Sequence, residues 1–199
     1  MFFLGRIRRA WARFKAARIP NETLINQIVI GPNLLALQAV STLQEKLSLY
    51  NGTLHGVDMS GGKLHNARLA RADLEGINLQ GANLSGSYLG ATNLKAANLQ
   101  DANLRKANLR ETILPNANLQ DADCRDAHMA AANLSGANLQ NVNFEKANLW
   151  KVNFQGADLT GATFSGANLT IAEFGVETIL PDGTHWSPET DMGHFINSK

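Results

Sequence analysis

Residues 97–111 read ANLQDANLRKANLRE: three five-residue units, each opening on alanine, with asparagine second, leucine third and two polar residues after them. The rhythm runs far beyond this stretch. Every fifth position from Leu54 to Phe174 is apolar, usually leucine and otherwise Met59, Cys124, Met129, Phe144, Phe154, Phe164 or Phe174. Two residues earlier stands a small or β-branched residue, mostly alanine from Ala67 to Ala172, and Asn or Asp usually lies between. A period of five matches neither a helical stripe at 3.6 nor a strand at 2. Something must reset the alternation. If the small and the central residue both point inward, as residues two apart do on a strand, the other three must turn the chain before the next inward pair. Each unit is then one side of a polygon, and glycines at outer positions such as Gly76, Gly81, Gly136 and Gly156 suit the turns. Stacked turns can pair their backbones about 4.8 Å apart, which makes a solenoid. The alanines predict a narrow core that a larger side chain at Ala102 or Ala132 would overpack. Phe144, Phe154 and Phe164 predict a bulkier core toward its C-terminal end.

The units ANLSG, ANLQD, ANLRK and ADLTG resemble the repeats of the pentapeptide-repeat family, over Gly52 to about Val176. The resemblance implies an all-β fold, a right-handed quadrilateral β-helix with four units per coil. Six coils at about 4.8 Å would give a rod on the order of 30 Å long. The segment TILPDGTHW, residues 178–186, resembles a terminal segment common in that family, with Pro181, Asp182 and Gly183 in a turn and Trp186 over the open core. The chain therefore divides into residues 1–50, a basic amphipathic helix and a helical N-terminal cap; 51–176, the β-helix; and 177–199, a C-terminal cap and tail.

Composition narrows the function. The 199 residues carry 18 Lys and Arg against 17 Asp and Glu, a formal net charge of +1, which argues against a strongly basic nucleic-acid binder. Cys124 is the single cysteine, so neither an internal disulfide nor a multi-cysteine zinc site is expected. No apolar run approaches the roughly 18 residues of a membrane span. The opening MFFLGRIRRAWARFKAAR scatters arginines among apolar residues and lacks the separate blocks of a secretory signal. The expected setting is cytoplasmic or organellar and stromal, peripheral to a membrane, and not secreted; an organellar transit peptide also fits that composition.

With four sides per coil, residues 20 apart share a column. One column stacks Gln80, Gln100, Gln120 and Gln140 beside Asn78, Asn98, Asn118 and Asn138, and such amides can hydrogen-bond in a ladder. A second side mixes signs through Arg105, Lys106, Asp123, Arg125, Asp126, Glu145 and Lys146, the pattern of a solvated surface. A third carries Arg68, Arg71, Tyr88, His128, Trp150 and Ile171 at outward positions, and Tyr, Trp and Arg are the usual anchors of protein interfaces. It is the candidate partner face. On another side Ile113 and Pro115 point outward, and a proline without a backbone donor is expected to bend the ladder.

Before the repeat, seven basic residues face only Glu22 and Glu45. Leu4, Ile7, Trp11 and Phe14 line one face of a helix, Phe3 and Ala10 widen it, and Arg6, Arg8, Arg9, Arg13, Lys15 and Arg18 supply charge. Pro20 should end that helix near Ile19. Such a segment suits a membrane surface, the groove of a partner protein, or packing against the solenoid or a second copy of the chain. A second helix is expected from Asn33 to about Leu47, with Asn33 as its cap and Leu37, Val40, Gln44 and Leu47 at helical spacing, covering the first coil.

Catalysis needs a concave pocket with convergent polar groups, and a filled rod offers none. Cys124 occupies an inward position, where thiols are inert. His185 and His194 lie near Asp182 and Asp191 without a metal-ligand spacing. No catalytic, metal or cofactor residues are assigned. The reading is a non-enzymatic scaffold subunit that binds protein partners, subunits of a membrane complex among them, with a homodimer also open. The alternative implied by the family resemblance is a rod that mimics B-form DNA and binds type II topoisomerases such as gyrase, but that requires a strongly negative surface, and residues 51–175 hold nearly equal numbers of acids and bases.

Overall fold

The computed structural model describes residues 19–197, apart from Leu47. The repeat closes a coil every 20 residues. Parallel bridges run Asp58 to Asn78, Asn98, Asn118, Asn138 and Asp158 in one column, and three further columns, begun by Lys63, Arg68 and Asp73, repeat the step. Four columns mean four sides, and the fold is a β-helix. Within a unit three N–H groups leave the coil: Leu99 N–H to Asn118 O at 2.6 Å, Asn98 N–H back to Ile77 O at 2.9 Å, and Asp101 N–H to Gln120 O at 3.0 Å. Between sides the chain turns within four residues, Ala102 N–H bonding Leu99 O at 3.0 Å, and the fifth residue of the unit has positive φ, 58° at Asp101. That combination is the type II pattern. It recurs at every corner from Gly56 to Ile171 and interrupts pairing too often for long strands.

The inward set is as the period requires. Central residues from Leu54 to Phe164 and the alanines from Ala67 to Ala167 are buried in one continuous core. Two of the three hydroxyls at the small position bond the coil below, Thr92 Oγ1 to Leu69 O at 2.8 Å and Thr112 Oγ1 to Leu89 O at 2.9 Å, whereas the buried Ser87 Oγ has no hydrogen-bond partner among the described residues. The C-terminal third fills with rings. Phe144 stacks on Phe164, Phe154 on Phe174, and Phe174 on Trp186, with centroids 5.3, 5.4 and 6.2 Å apart. Trp186 therefore closes the ring column, although Leu169 and Phe174 remain only half-buried.

At the N-terminal end two helices, α1 (Asn21–Val29) and α2 (Asn33–Glu45), pack on the first coil through Leu24, Ile28, Ala36, Ala39, Val40 and Leu43. Together with the segment after α2 they stand in for a missing coil. Ile28 O accepts Lys63 N–H at 2.9 Å, Leu49 O accepts Asp73 N–H at 2.6 Å, and the Gln44 side-chain amide donates to Arg68 O. α1 was not legible in the sequence pattern, and two expectations for α2 are corrected. Pro32, with extended ψ, precedes the helix, so Asn33 is its first residue and its Oδ1 is buried without a hydrogen-bond partner among the described residues. The buried stripe is Ala36, Ala39, Val40 and Leu43; Leu37 lies at its margin, Gln44 reaches the coil edge, and Leu47 lies outside the described residues.

Past Phe174 the register slips by one. Asp158 pairs with Ile179, 21 residues on, and Ile179 pairs antiparallel with His185. Thr178 Oγ1 secures the slip, donating to Phe154 O at 3.0 Å while accepting Gly175 N–H at 3.0 Å. A single-turn helix, α3 (Gly193–Ile196), returns to the rod, where Ile196 O accepts Gly166 N–H at 3.1 Å.

Candidate functional site

The second residue of each unit points outward, and its usual identity has a local cause. Asn118 Oδ1 accepts Gln120 N–H at 3.1 Å, and the same loop is closed from Asp58 to Asn168. The corner N–H has no backbone partner, so the short side chain two residues earlier supplies one. The predicted amide ladder runs through these residues rather than the glutamines: Asn78 Nδ2 donates to Asp58 Oδ1 at 2.9 Å, Asn98 to Asn78 at 3.1 Å and Asn118 to Asn98 at 3.3 Å. Of the glutamines, Gln140 reaches across coils, to Asp158 Oδ2 at 2.6 Å.

The same logic corrects the expectation at Pro115. It sits at the corner position whose N–H normally bonds the second residue, and Ile113 there has no acceptor to offer. Donor and acceptor are absent together, and the ladder passes unbent through Ile113 N–H to Thr92 O at 2.9 Å and Leu94 N–H to Ile113 O at 2.7 Å.

On one side the bridges place Arg68 beside Tyr88, and continue through Asn108 to His128 and Asn148. Arg71 and Ile171 occupy the fifth position and Trp150 the fourth, at the corner that follows. Tyr88 is 52%, Trp150 41% and Ile171 60% exposed. The structure therefore brings the six residues of the candidate partner face onto one side, spread from the first coil to the last. Phe3, Leu4, Ile7, Trp11, Phe14, Arg6, Arg9 and Arg13 lie outside the described residues; Ile19, near the expected end of their helix, is a non-helical exposed residue, and Pro20 is the residue before α1.

Several charged groups elsewhere are paired. The Arg125 guanidinium forks onto Asp123 at 2.8 and 2.6 Å and holds that carboxyl below its ordinary range. Lys95 meets Glu75 at 3.0 Å, Lys146 meets Glu145 at 2.7 Å, and His55 Nε2 lies 2.8 Å from Asp73. At Asp158 burial raises the carboxyl pKa, but bonds from the Thr160 hydroxyl and N–H and from Gln140 outweigh it and leave it lowered. Burial drives the Cys124 thiol far above its ordinary value, and it packs as a small apolar group. Among the described residues no group of His, Cys, Asp and Glu could hold a metal ion, and no helix is long and apolar enough to cross a membrane.

A family profile described as Pentapeptide repeats matches residues 48–86, 77–116, 115–145 and 137–173. Among solved structures, the pentapeptide repeat protein Rfr23 from the cyanobacterium Cyanothece 51142 is 37% identical, with a TM-score of 0.44 over 48% of this chain and 64% of that one. This chain thus spans less than two thirds of the Cyanothece protein's length. A pentapeptide repeat protein of the Arabidopsis thaliana thylakoid lumen is 31% identical, with a TM-score of 0.26 over 57% of this chain and 66% of its own. HetL from Nostoc sp. strain PCC 7120, a pentapeptide repeat protein involved in heterocyst differentiation regulation, is 22% identical, with a TM-score of 0.19 over 67% and 89%. A comparison with curated proteins found no match.

Proposed function

Since the chain belongs to the pentapeptide-repeat family, we propose that it is a non-enzymatic binding protein whose β-helix serves as a rigid scaffold. The side bearing Arg68, Arg71, Tyr88, His128, Trp150 and Ile171 docks a protein partner. The basic segment 1–18 tethers the rod to a membrane or to a larger complex. The observation that carries the docking role is the alignment of exposed Tyr88, His128 and Trp150 on one side of a backbone held by three inter-coil bonds per unit. Aromatic side chains on a preorganised surface give binding area at little entropic cost. The tether rests on composition: six cations in residues 1–18 interleaved with Phe, Trp, Leu and Ile. DNA mimicry of a topoisomerase substrate is disfavoured, because it requires negative charge around the whole rod and cations occupy three of the four sides.

The test is co-purification from native extract, using the full chain, a Tyr88→Ala/Trp150→Ala variant and a form lacking residues 1–18. A defined partner retained by the full chain and lost with the double variant is the expected result, with flotation on anionic vesicles lost on truncation. Unchanged partner recovery with the double variant would remove the docking face, and equal flotation of the truncated form would remove the membrane tether.

A further inference from the structure

The repeat region is nearly neutral as a whole, yet its four sides are not. Taking each side with the corner that follows it, the one holding the glutamine column carries Asp58, Asp101, Asp121 and Asp158 and no Lys or Arg. The side diagonally opposite is the docking side of the proposed function, and it carries Arg68, Arg71, Arg110 and Lys151 against Glu111 alone. Coil closure at 20 residues creates this segregation: charges that alternate along the chain sort onto opposite sides.

The balance of charge, with its pairing, sets the docking side apart. On the acidic side Asp58, Asp121 and Asp158 meet amides and hydroxyls, as at Asp58 with Asn78 and Asp121 with Asn141, and none of its carboxylates forms an ion pair among the described residues. On the basic side the one ion pair is a loose contact of 3.9 Å between Arg110 and Glu111, both 65% exposed, while Arg68, Arg71 and Lys151 have none among the described residues. On the two remaining sides Lys95, Arg125 and Lys146 are each engaged by a carboxylate within 3.0 Å, and Lys63, Arg105 and Lys106, without an ion pair among the described residues, share their side with Asp123, Asp126 and Glu145, whereas the docking side has Glu111 alone. Unpaired cations beside exposed aromatic rings form a surface complementary to carboxylates and to the apolar stems that carry them.

We infer that the docking side takes an acidic segment of a partner protein, whose carboxylates meet Arg68, Arg71, Arg110 and Lys151 while Tyr88 and Trp150 supply the apolar contact. The inference rests on the docking role proposed above and adds the chemistry of the occupant. The acidic opposite side repels the same segment, so the rod can be engaged in one rotational setting only. Duplex nucleic acid fits less well. It presents one charge per about 1.7 Å of axis, whereas these four cations are spread over five coils, about 20 Å, with a carboxylate among them.

The test is an amide-resolved titration of the full chain with a short synthetic glutamate–tyrosine peptide, with duplex DNA and anionic vesicles as separate arms. Expected are shifts at Tyr88, Arg110, His128 and Trp150 and none at Gln80, Gln100 and Gln120. Affinity read from those amides should weaken about tenfold in Arg110→Glu/Lys151→Glu, in step with loss of a close charge pair, and change less than about twofold in Arg105→Glu/Lys106→Glu. All these side chains are exposed or half-buried, and an unchanged amide spectrum of the free variants verifies their fold. No shifts on the docking side, equal weakening in both double variants, or tighter binding there of DNA or vesicles would overturn the inference. If the peptide fails while Tyr88→Ala/Trp150→Ala still loses its native partner, the acidic chemistry falls and the docking role stands. If neither responds, both fall.

Discussion

Each unit solves the same local problem, and two residue types mark the solution. The second residue serves the corner more than the surface, since Asn118 Oδ1 holds the Gln120 N–H while its amide joins the ladder to Asn98. Asn118→Ala should therefore cost about 1–2 kcal/mol, and Gln120→Ala, in the more conspicuous column, less than about 0.5 kcal/mol, both read from urea unfolding. The fifth residue carries backbone strain. Ile171 is β-branched with φ of 52°, a conformation such residues disfavour. Replacing it by glycine should stabilise the rod by up to about 1 kcal/mol in the same assay, the left-handed penalty exceeding glycine's extra unfolded entropy. A Cβ at Gly86, Gly136 or Gly161 would meet Oδ1 of Asn66, Asn116 or Asn141 one coil below, a contact those side chains can relieve by turning.

The coil draws its stability from a narrow shared core, and its ends from elements that imitate a coil. Ala132 is buried in the core beside the central residues Met129 and Leu134. Ala132→Leu should lower stability by about 1–3 kcal/mol, seen as a lower thermal midpoint, whereas Ala132→Thr should be milder because Thr92 and Thr112, in the same column, place their hydroxyls on a carbonyl of the coil below. A normal melting curve for the leucine variant would contradict the inward assignment. At the ends, Ile28 O, Leu49 O and the Gln44 amide occupy the places of backbone groups in a coil that does not exist, and Phe174 and Trp186 continue the ring stack past the last full turn. Solenoid edges left unpaired invite association, which gives these substitutions their physical purpose.

For the molecule as a whole, acid should act through several carboxylates at once. Asp58, Asp73, Glu75, Asp123, Glu145 and Asp158 all have pKa values lowered in the fold by hydrogen bonds or cations. A carboxyl lowered on folding binds fewer protons folded than unfolded, so its contribution is complete above the ordinary Asp value of 3.8 and disappears as pH falls through the lowered one. Unfolding midpoints in urea should be flat near neutrality and decline below about pH 4, with a shallower decline in Asp123→Asn. A midpoint independent of pH down to about 2 would show that these bonds add nothing to the folded state. The sequence determined the five-residue unit, the inward pair and the aromatic end of the core, because every unit repeats one local geometry and Leu99, Leu104 and Leu109 announce it separately. It did not determine why asparagine stands second, since that reason lies in an N–H left unpaired only once the corner forms. Nor did it show α1, the role of Asn33 or the slip after Phe174: a repeat specifies its neighbours, and an end has none to copy. Opposite charge on opposite sides follows from closure of the coil at 20 residues: a period of five is equally compatible with polygons of other orders, the family resemblance implied four sides, and the bridges between coils fix which charges share a side.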